Sequence, residues 1–225
     1  MKINRIHSWE NLTVDDAKAI QEKLADKIIL TGELKQVELI AGADMAFSPD
    51  GIAYAVVVIL TFPKFEVVKI YRGKEAVRFP YIPGYLSFRE APLLLKLFAQ
   101  VENTPDVVML DGQGISHPRK LGLASHIGLF LEIPTIGVAK SKLVGEYNPP
   151  GVEKGQWSWL TYHNEKIGIV LRTRTNVRPV FISPGNMISL ESARRWTLKC
   201  APKYRIPEPT RIADRLVAEF KKSDV

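Results

Sequence analysis

The longest apolar run in the chain, Ala53 to Phe62, restricts the fold more than any other feature. It is far too short to cross a bilayer, which needs about 20 residues, so it reads as a buried strand. Its neighbours are of the same kind. Val37 to Phe47 and Phe65 to Tyr71 are β-rich, and the separators Ser48-Pro49-Asp50-Gly51 and Pro63-Lys64 carry turn chemistry. These runs predict an antiparallel meander. The pattern then changes: Phe88 to Val101 predicts a helix, Asp106 to Leu110 a short buried strand, Leu121 to Glu132 a helix, and Thr135 to Val138 another strand. Strands alternating with helices imply βαβ units and parallel pairing. The expected architecture is α/β, a mixed central sheet (antiparallel meander, then parallel strands) flanked by helices. Upstream, Thr13 caps a predicted amphipathic helix over Val14 to Ile29, with Asp16 in its first turn. Gly145 to Gly155 reads as a surface loop. Gln156–Tyr162, Lys166–Arg174 and Val180–Ser183 read as further strands, and Leu190–Lys199 and Thr210–Lys222 as closing helices. Without repeats or a clean linker, one domain over 1–225 is expected.

Composition narrows the partners. The chain has 225 residues, 46% hydrophobic and 24% charged, which argues against disordered, collagen-like and disulfide-rich classes. A net charge of +7 favours a polyanionic partner such as nucleic acid. The single Cys200 excludes an internal disulfide and a cysteine-rich zinc site, and it suits a reducing cytoplasm. Met1 to Glu10 is polar and unlike a secretory leader. A cytoplasmic protein without a membrane partner is expected.

Several acids stand where acids are costly. Asp44 interrupts the apolar strand Leu39 to Phe47, and an unpaired carboxylate buried there costs several kcal/mol, roughly. Asp111 follows Val107-Val108-Met109-Leu110 and opens the loop Gly112-Gln113-Gly114, at the carboxyl end of a strand, where open α/β sheets gather ligands. If the two strands are neighbours, the carboxylates converge, and converging acids repel unless they share a proton or a metal. Oxygen ligation without cysteine favours magnesium or manganese. Blander roles exist for each: Asp111 as a turn residue, Asp44 as the partner of an arginine, and Glu90 as the third residue of a capping box begun by Ser87. Asp214, on the last helix, reads by itself as an exposed charge.

The loops are richer than turns require. Pro80-Tyr81-Ile82-Pro83-Gly84 is stiff and tipped by an aromatic and an aliphatic residue. Such a segment serves either as a wedge in a base stack or as a rigid connector packing Tyr81 and Ile82 into the core. The run from Asp111 to Lys120 sets two glycines, His117 and two basic residues beside the acid. His7, His126 and His163 read as structural.

These motifs resemble one family. Gly42 to Phe47, Pro80 to Glu90, Asp111 to Arg119, Thr135 to Ser141 and Arg205 to Asp214 are similar, in order and over nearly the whole chain, to endonuclease V, bacterial and thermophilic members above all. The resemblance implies an RNase H-like fold. It implies a DNA repair enzyme, a metal-dependent endodeoxyribonuclease that recognises deoxyinosine and hydrolyses the second phosphodiester bond on its 3′ side, leaving a 3′-hydroxyl and a 5′-phosphate. Carried over by position, Asp44, Glu90, Asp111 and Asp214 look like metal ligands, although some relatives carry a histidine at the last. His117 and Lys140 look like residues that orient the attacking water and stabilise the phosphate. Pro80, Tyr81, Ile82 and Pro83 form the wedge, and Gly84, Leu86, Gly112, Leu123 and Gly137 line the pocket for a flipped base. The implied cofactor is Mg2+, with Mn2+ as a substitute. The implied partner is deoxyinosine-containing DNA, bound by a monomer. The alternative is a broader RNase H-like nuclease acting on inosine-containing RNA, mismatches or flaps. Where relatives usually carry a histidine after Ser183-Pro184-Gly185, this chain has Asn186, which lacks the imidazole. Met45 and Ala46 are lesser departures.

Overall fold

In the computed structural model, which describes residues 1–224, the apolar run forms strand β2 (Ile52–Thr61), eight of whose ten residues are buried. A strand buried on both faces needs cover on both. Ala53, Ala55, Val57 and Ile59 pack under helices α2 (Leu86–Phe98) and α3 (Leu123–Leu131). The alternate residues Tyr54, Val56, Val58 and Leu60 pack under the last helix, α5 (Glu208–Ser223). The expected meander is present: β1 (Leu39–Phe47) pairs antiparallel with β2, and β2 with β3 (Val67–Ala76), which runs five residues beyond the predicted end at Tyr71. Then β4 (Val107–Leu110) joins β1 in parallel, and β5 (Thr135–Ala139) joins β4 in parallel. Strands β6 (Trp157–Tyr162), β7 (Glu165–Leu171) and β8 (Val180–Asn186) return antiparallel, giving one eight-stranded sheet in the order β3-β2-β1-β4-β5-β8-β7-β6. The mixed sheet flanked by helices is therefore as expected. Helix α4 (Leu190–Lys199) covers β7 and β8 on the face shared with α5.

Two predicted helix starts fare differently. Helix α1 (Val14–Ala25) opens on a reciprocal capping box: Thr13 Oγ1 accepts from the Asp16 amide at 3.1 Å, and Asp16 Oδ2 from the Thr13 amide at 2.9 Å. It ends at Ala25 rather than Ile29, because the Ile29 amide donates to Asn186 Oδ1 at 2.9 Å and is drawn off the helical path by a strand far away in sequence. The capping box at Ser87 does not form. Helix α2 starts at Leu86, two residues before the expected Phe88, with Tyr85 as N-cap and no side-chain cap, so Ser87 lies inside it and its hydroxyl meets His126 Nδ1 at 2.9 Å instead. Glu90 is thereby released from the backbone role that spacing suggested. Among the described residues, no helix is long and apolar enough to cross a membrane.

Candidate active site

Register brings the two costly acids together. In the parallel pair Ala43 lies beside Leu110, so the next residues, Asp44 and Asp111, emerge side by side. Alternation sets their direction. Ala41, Ala43, Val108 and Leu110 face α2 and α3, while Ile40, Val107 and Met109 face the opposite layer, and Asp44 and Asp111 share the parity of this second set. Helix α5 lies on that same face. It reaches β1 because Gly42 has no side chain: a Cβ there would stand 2.0 Å from the Pro209 carbonyl oxygen. The close approach delivers Asp214, and carboxylate oxygens of Asp44, Asp111 and Asp214 lie within 4.8 Å of one another.

Lys140, just past the end of β5, completes the cluster. Its Nζ is 2.6 Å from Asp111 Oδ2 and 3.2 Å from Asp214 Oδ1. Burial works against the ammonium, but the hydrogen bond and charge of Asp111, and then Asp214, outweigh it and hold the lysine protonated. Arg205 fixes the backbone beneath, donating to the Lys140 carbonyl at 2.7 Å and to the Pro179 carbonyl at 2.9 Å. Nothing in the local sequence marks Arg205 for this task, which spans 65 residues.

Burial, and next the charge of Asp111, raise the Asp44 carboxyl to about 7. Among the described residues no arginine pairs with it, and the Met45 amide donates to its Oδ1 at 2.9 Å. Glu90 stands apart from the three-acid group. It comes from α2, on the other layer, yet near enough that the charges of Asp44 and Asp111 add to burial in raising its carboxyl to about 8. Such mutual repulsion in a hard-oxygen donor set, free of cysteine and histidine, is what a divalent cation relieves.

The segment from Pro80 to Gly84 leads into α2, which carries Glu90, and the loop from Gly112 to Arg119 follows Asp111 in the chain. Tyr81 is 70% exposed and so stands clear of the core, whereas Ile82 packs partly against Phe79 and Phe88. The connector reading thus holds for Ile82 and not for Tyr81. Pro80 and Pro83 are exposed. Gly84, at φ +82°, ends the segment, and Leu86 opens α2 behind it. His117 is buried, with both ring nitrogens engaged: Nδ1 accepts from the Arg119 amide at 3.1 Å, which leaves the proton on Nε2 to donate to the Gly84 carbonyl at 2.8 Å. Burial lowers its pKa to about 4, in keeping with a neutral ring. Gly112 faces Leu123, whose Cβ would lie 3.4 Å from an added methyl. Gly137 is different, because its open side is filled by the protein: a Cβ would stand 2.5 Å from the Gly114 amide nitrogen. Gly137 supports the 112–114 loop from below.

Asn186, the departure from the expected histidine, is buried and structural. Its Nδ2 donates to the Gly128 carbonyl at 3.0 Å while Oδ1 holds the Ile29 amide.

The chain's likeness to other proteins agrees with this arrangement. A family model, Endonuclease V, matches residues 22–215. This chain belongs to the endonuclease V family. It is 47% identical over 220 residues to the endonuclease V of Nostoc punctiforme, covering 97% of this chain and 99% of that one. Its fold superposes on the crystal structure of the Streptomyces avermitilis endonuclease V with a TM-score of 0.91 at 35% identity, covering 100% of this chain and 99% of the other. A third likeness is to the Ciona intestinalis endonuclease V, solved in complex with a 24mer DNA containing an inosine followed by a ribo-adenosine (TM-score 0.82, 28% identity, 94% and 99% covered). As an endonuclease V the chain is a nuclease, and endonuclease and DNA repair activities follow from the family.

Proposed function

We propose that this chain nicks DNA at deoxyinosine, hydrolysing the second phosphodiester bond on the 3′ side and leaving a 3′-hydroxyl and a 5′-phosphate. The observation that carries the reading is the meeting of Asp44, Asp111 and Asp214, with the Lys140 ammonium on the last two. The carboxylate set fits a hard divalent cation. Asp44, Asp111 and Asp214 would hold it, with Glu90 adding its charge from the α2 layer. Bound there, Mg2+, or Mn2+ in its place, supplies neutralisation of the phosphate and activation of water. Lys140 contributes a fixed positive charge to the phosphate as negative charge builds on its oxygens.

The other residues act on the DNA. Tyr81, held out on the stiff Pro80–Pro83 segment, enters the stack and favours extrusion of the base, which costs a few kcal/mol, roughly, and least for a mispaired base. Gly84, Leu86, Gly112 and Leu123 receive that base, with Gly137 bracing the loop. Backbone groups at such a wall distinguish hypoxanthine from adenine by the donor and carbonyl it offers, because adenine leaves buried groups unpaired at about 1–3 kcal/mol each. His117 acts as a positioning residue that ties the wedge to the 111–119 loop; its two ring bonds support this role over direct contact with water.

A second reading, cleavage of inosine-containing RNA, draws support from the ribo-adenosine that follows inosine in the Ciona complex. One panel tests both: inosine in duplex DNA, inosine in RNA, uracil, mismatches and flaps, each with Mg2+ and then EDTA. The expected result is an EDTA-sensitive nick one nucleotide beyond the inosine's own 3′ bond. Absence of that product from the DNA arm overturns the first reading.

A further inference from the structure

We propose that Gln21, in the outlying helix α1, is a positioning residue that sets the stance of the wedge and so governs attack on duplex DNA; this rests on the function proposed above. Helix α1 buries Ala17, Gln21 and Leu24. An amide in the middle of an apolar stripe is costly unless every polar atom is paired. Gln21 is 1% exposed and is paired throughout. Its Nε2 donates to the Gly84 carbonyl at 3.0 Å and to the Leu121 carbonyl at 3.1 Å, and its Oε1 accepts from Arg119 Nε at 2.6 Å.

One of those bonds shares its acceptor with two others. The Gly84 carbonyl oxygen accepts from Gln21, from Arg119 Nη2 at 2.9 Å and from His117 Nε2 at 2.8 Å. Three donors on an oxygen with two lone pairs hold it more firmly than a turn requires. The Arg119 guanidinium also lies 4.4 Å from the centroid of the Tyr85 ring, the residue that caps α2. The position is mechanically apt. Pro80 and Pro83 have fixed φ, so the freedom of the segment resides largely at Gly84, whose φ of +82° a side chain rarely adopts. The exposed Tyr81 ring therefore takes its bearing from Gly84. Gln21 lies outside the acid cluster, so its loss is felt where the base stack must be opened and not where the phosphate is cleaved.

The test uses the full-length chain with Mg2+ and one inosine-containing sequence, supplied as duplex and as single strand. Wild type, Gln21→Met and Gln21→Glu are compared for kcat and KM. Methionine keeps the length without polar atoms; glutamate keeps an acceptor for Arg119 but has no N–H for Gly84. For both, kcat/KM on the duplex is expected to fall about tenfold, the effect of a lost buried hydrogen bond, while the single strand changes by less than about twofold. A 2-aminopurine placed beside the inosine reports the same defect as a smaller fluorescence rise on binding without cleavage. Equal losses on both substrates, or an unchanged duplex rate in a folded variant, overturn the role of Gln21. Should Gln21→Met fail to fold by thermal melting, Arg119→Lys, which loses the guanidinium fork, carries the same duplex-to-single-strand comparison. A wild-type chain that cuts neither inosine substrate refutes the functional reading itself, a different outcome from wild-type cleavage with unselective variants.

Discussion

Asp111 belongs to the acid cluster and makes the shorter of its two contacts with the Lys140 ammonium, 2.6 Å against 3.2 Å for Asp214. Replacing it by alanine removes one carboxylate of the cluster and leaves Lys140 with Asp214 alone, while the 80–84 segment and the 112–114 loop stay in place. Asp111→Ala is expected to abolish cleavage and retain binding of an inosine duplex to within a few-fold, measured by gel cleavage and by fluorescence anisotropy. Full activity would remove Asp111 from the site. At the same scale, the basic residues near the site divide by task. Arg119 is turned inward on Gly84 and Gln21, Lys120 pairs with Glu165, and Lys140 is held by carboxylates. Of these three, only Lys140 stands in the acid centre.

Two elements depend on small features. The approach of α5 to β1 rests on Gly42, where a methyl group would meet the Pro209 backbone well inside contact distance. Gly42→Ala is expected to cost about 1–3 kcal/mol, the range for overpacking, and to lower cleavage further than stability explains, because Asp214 moves with α5. Denaturant melts beside initial rates check this, and an active, unshifted variant would contradict it. At the start of α1, Thr13→Ala breaks the reciprocal cap and is expected to cost about 1 kcal/mol in the same melts. If α1 carries the wedge support through Gln21, a frayed α1 also lowers duplex cleavage more than single-strand cleavage.

For the whole molecule, the acid cluster stores a pH dependence. The folded-state carboxyls of Asp44 and Glu90 stand at about 7 and about 8, raised above their unfolded values chiefly by burial. The folded state therefore holds protons that the unfolded state has released, and the associated stability is lost as pH rises through those values. His7, His117 and His126 are lowered by burial and act in the opposite sense, but at lower pH. Above about pH 7 the unfolded histidines are mostly neutral too, so the carboxyls dominate. Without divalent cations, the melting temperature is expected to fall between pH 7 and about pH 8.5. Saturating Mg2+ should remove that fall, since the carboxylates are then compensated. A metal-free melting temperature that stays flat or rises over this interval would count against the clustered, protonated acids.

The sequence by itself determined the meander, the βαβ order, the cost of Asp44 inside a strand and the motifs that carry the family likeness. These are local properties, written in side-chain periodicity, turn residues and contiguous runs. It also offered pairs of readings that it had no means to separate: Glu90 as cap or site acid, Tyr81 as wedge or core residue. Tertiary structure removed one member of each pair: helix α2 began before Ser87, so Glu90 does not cap it, and Tyr81 lies outside the core. Only the three-dimensional chain revealed that Gln21, Arg119 and His117 share one carbonyl, that Arg205 braces Lys140, and that Gly137 makes room for the protein's own loop. Each of these contacts joins segments distant in sequence, except the short reach from His117 to Arg119. Their energetics depend on distance and direction in space, which residue order does not record until the sheet has set its register.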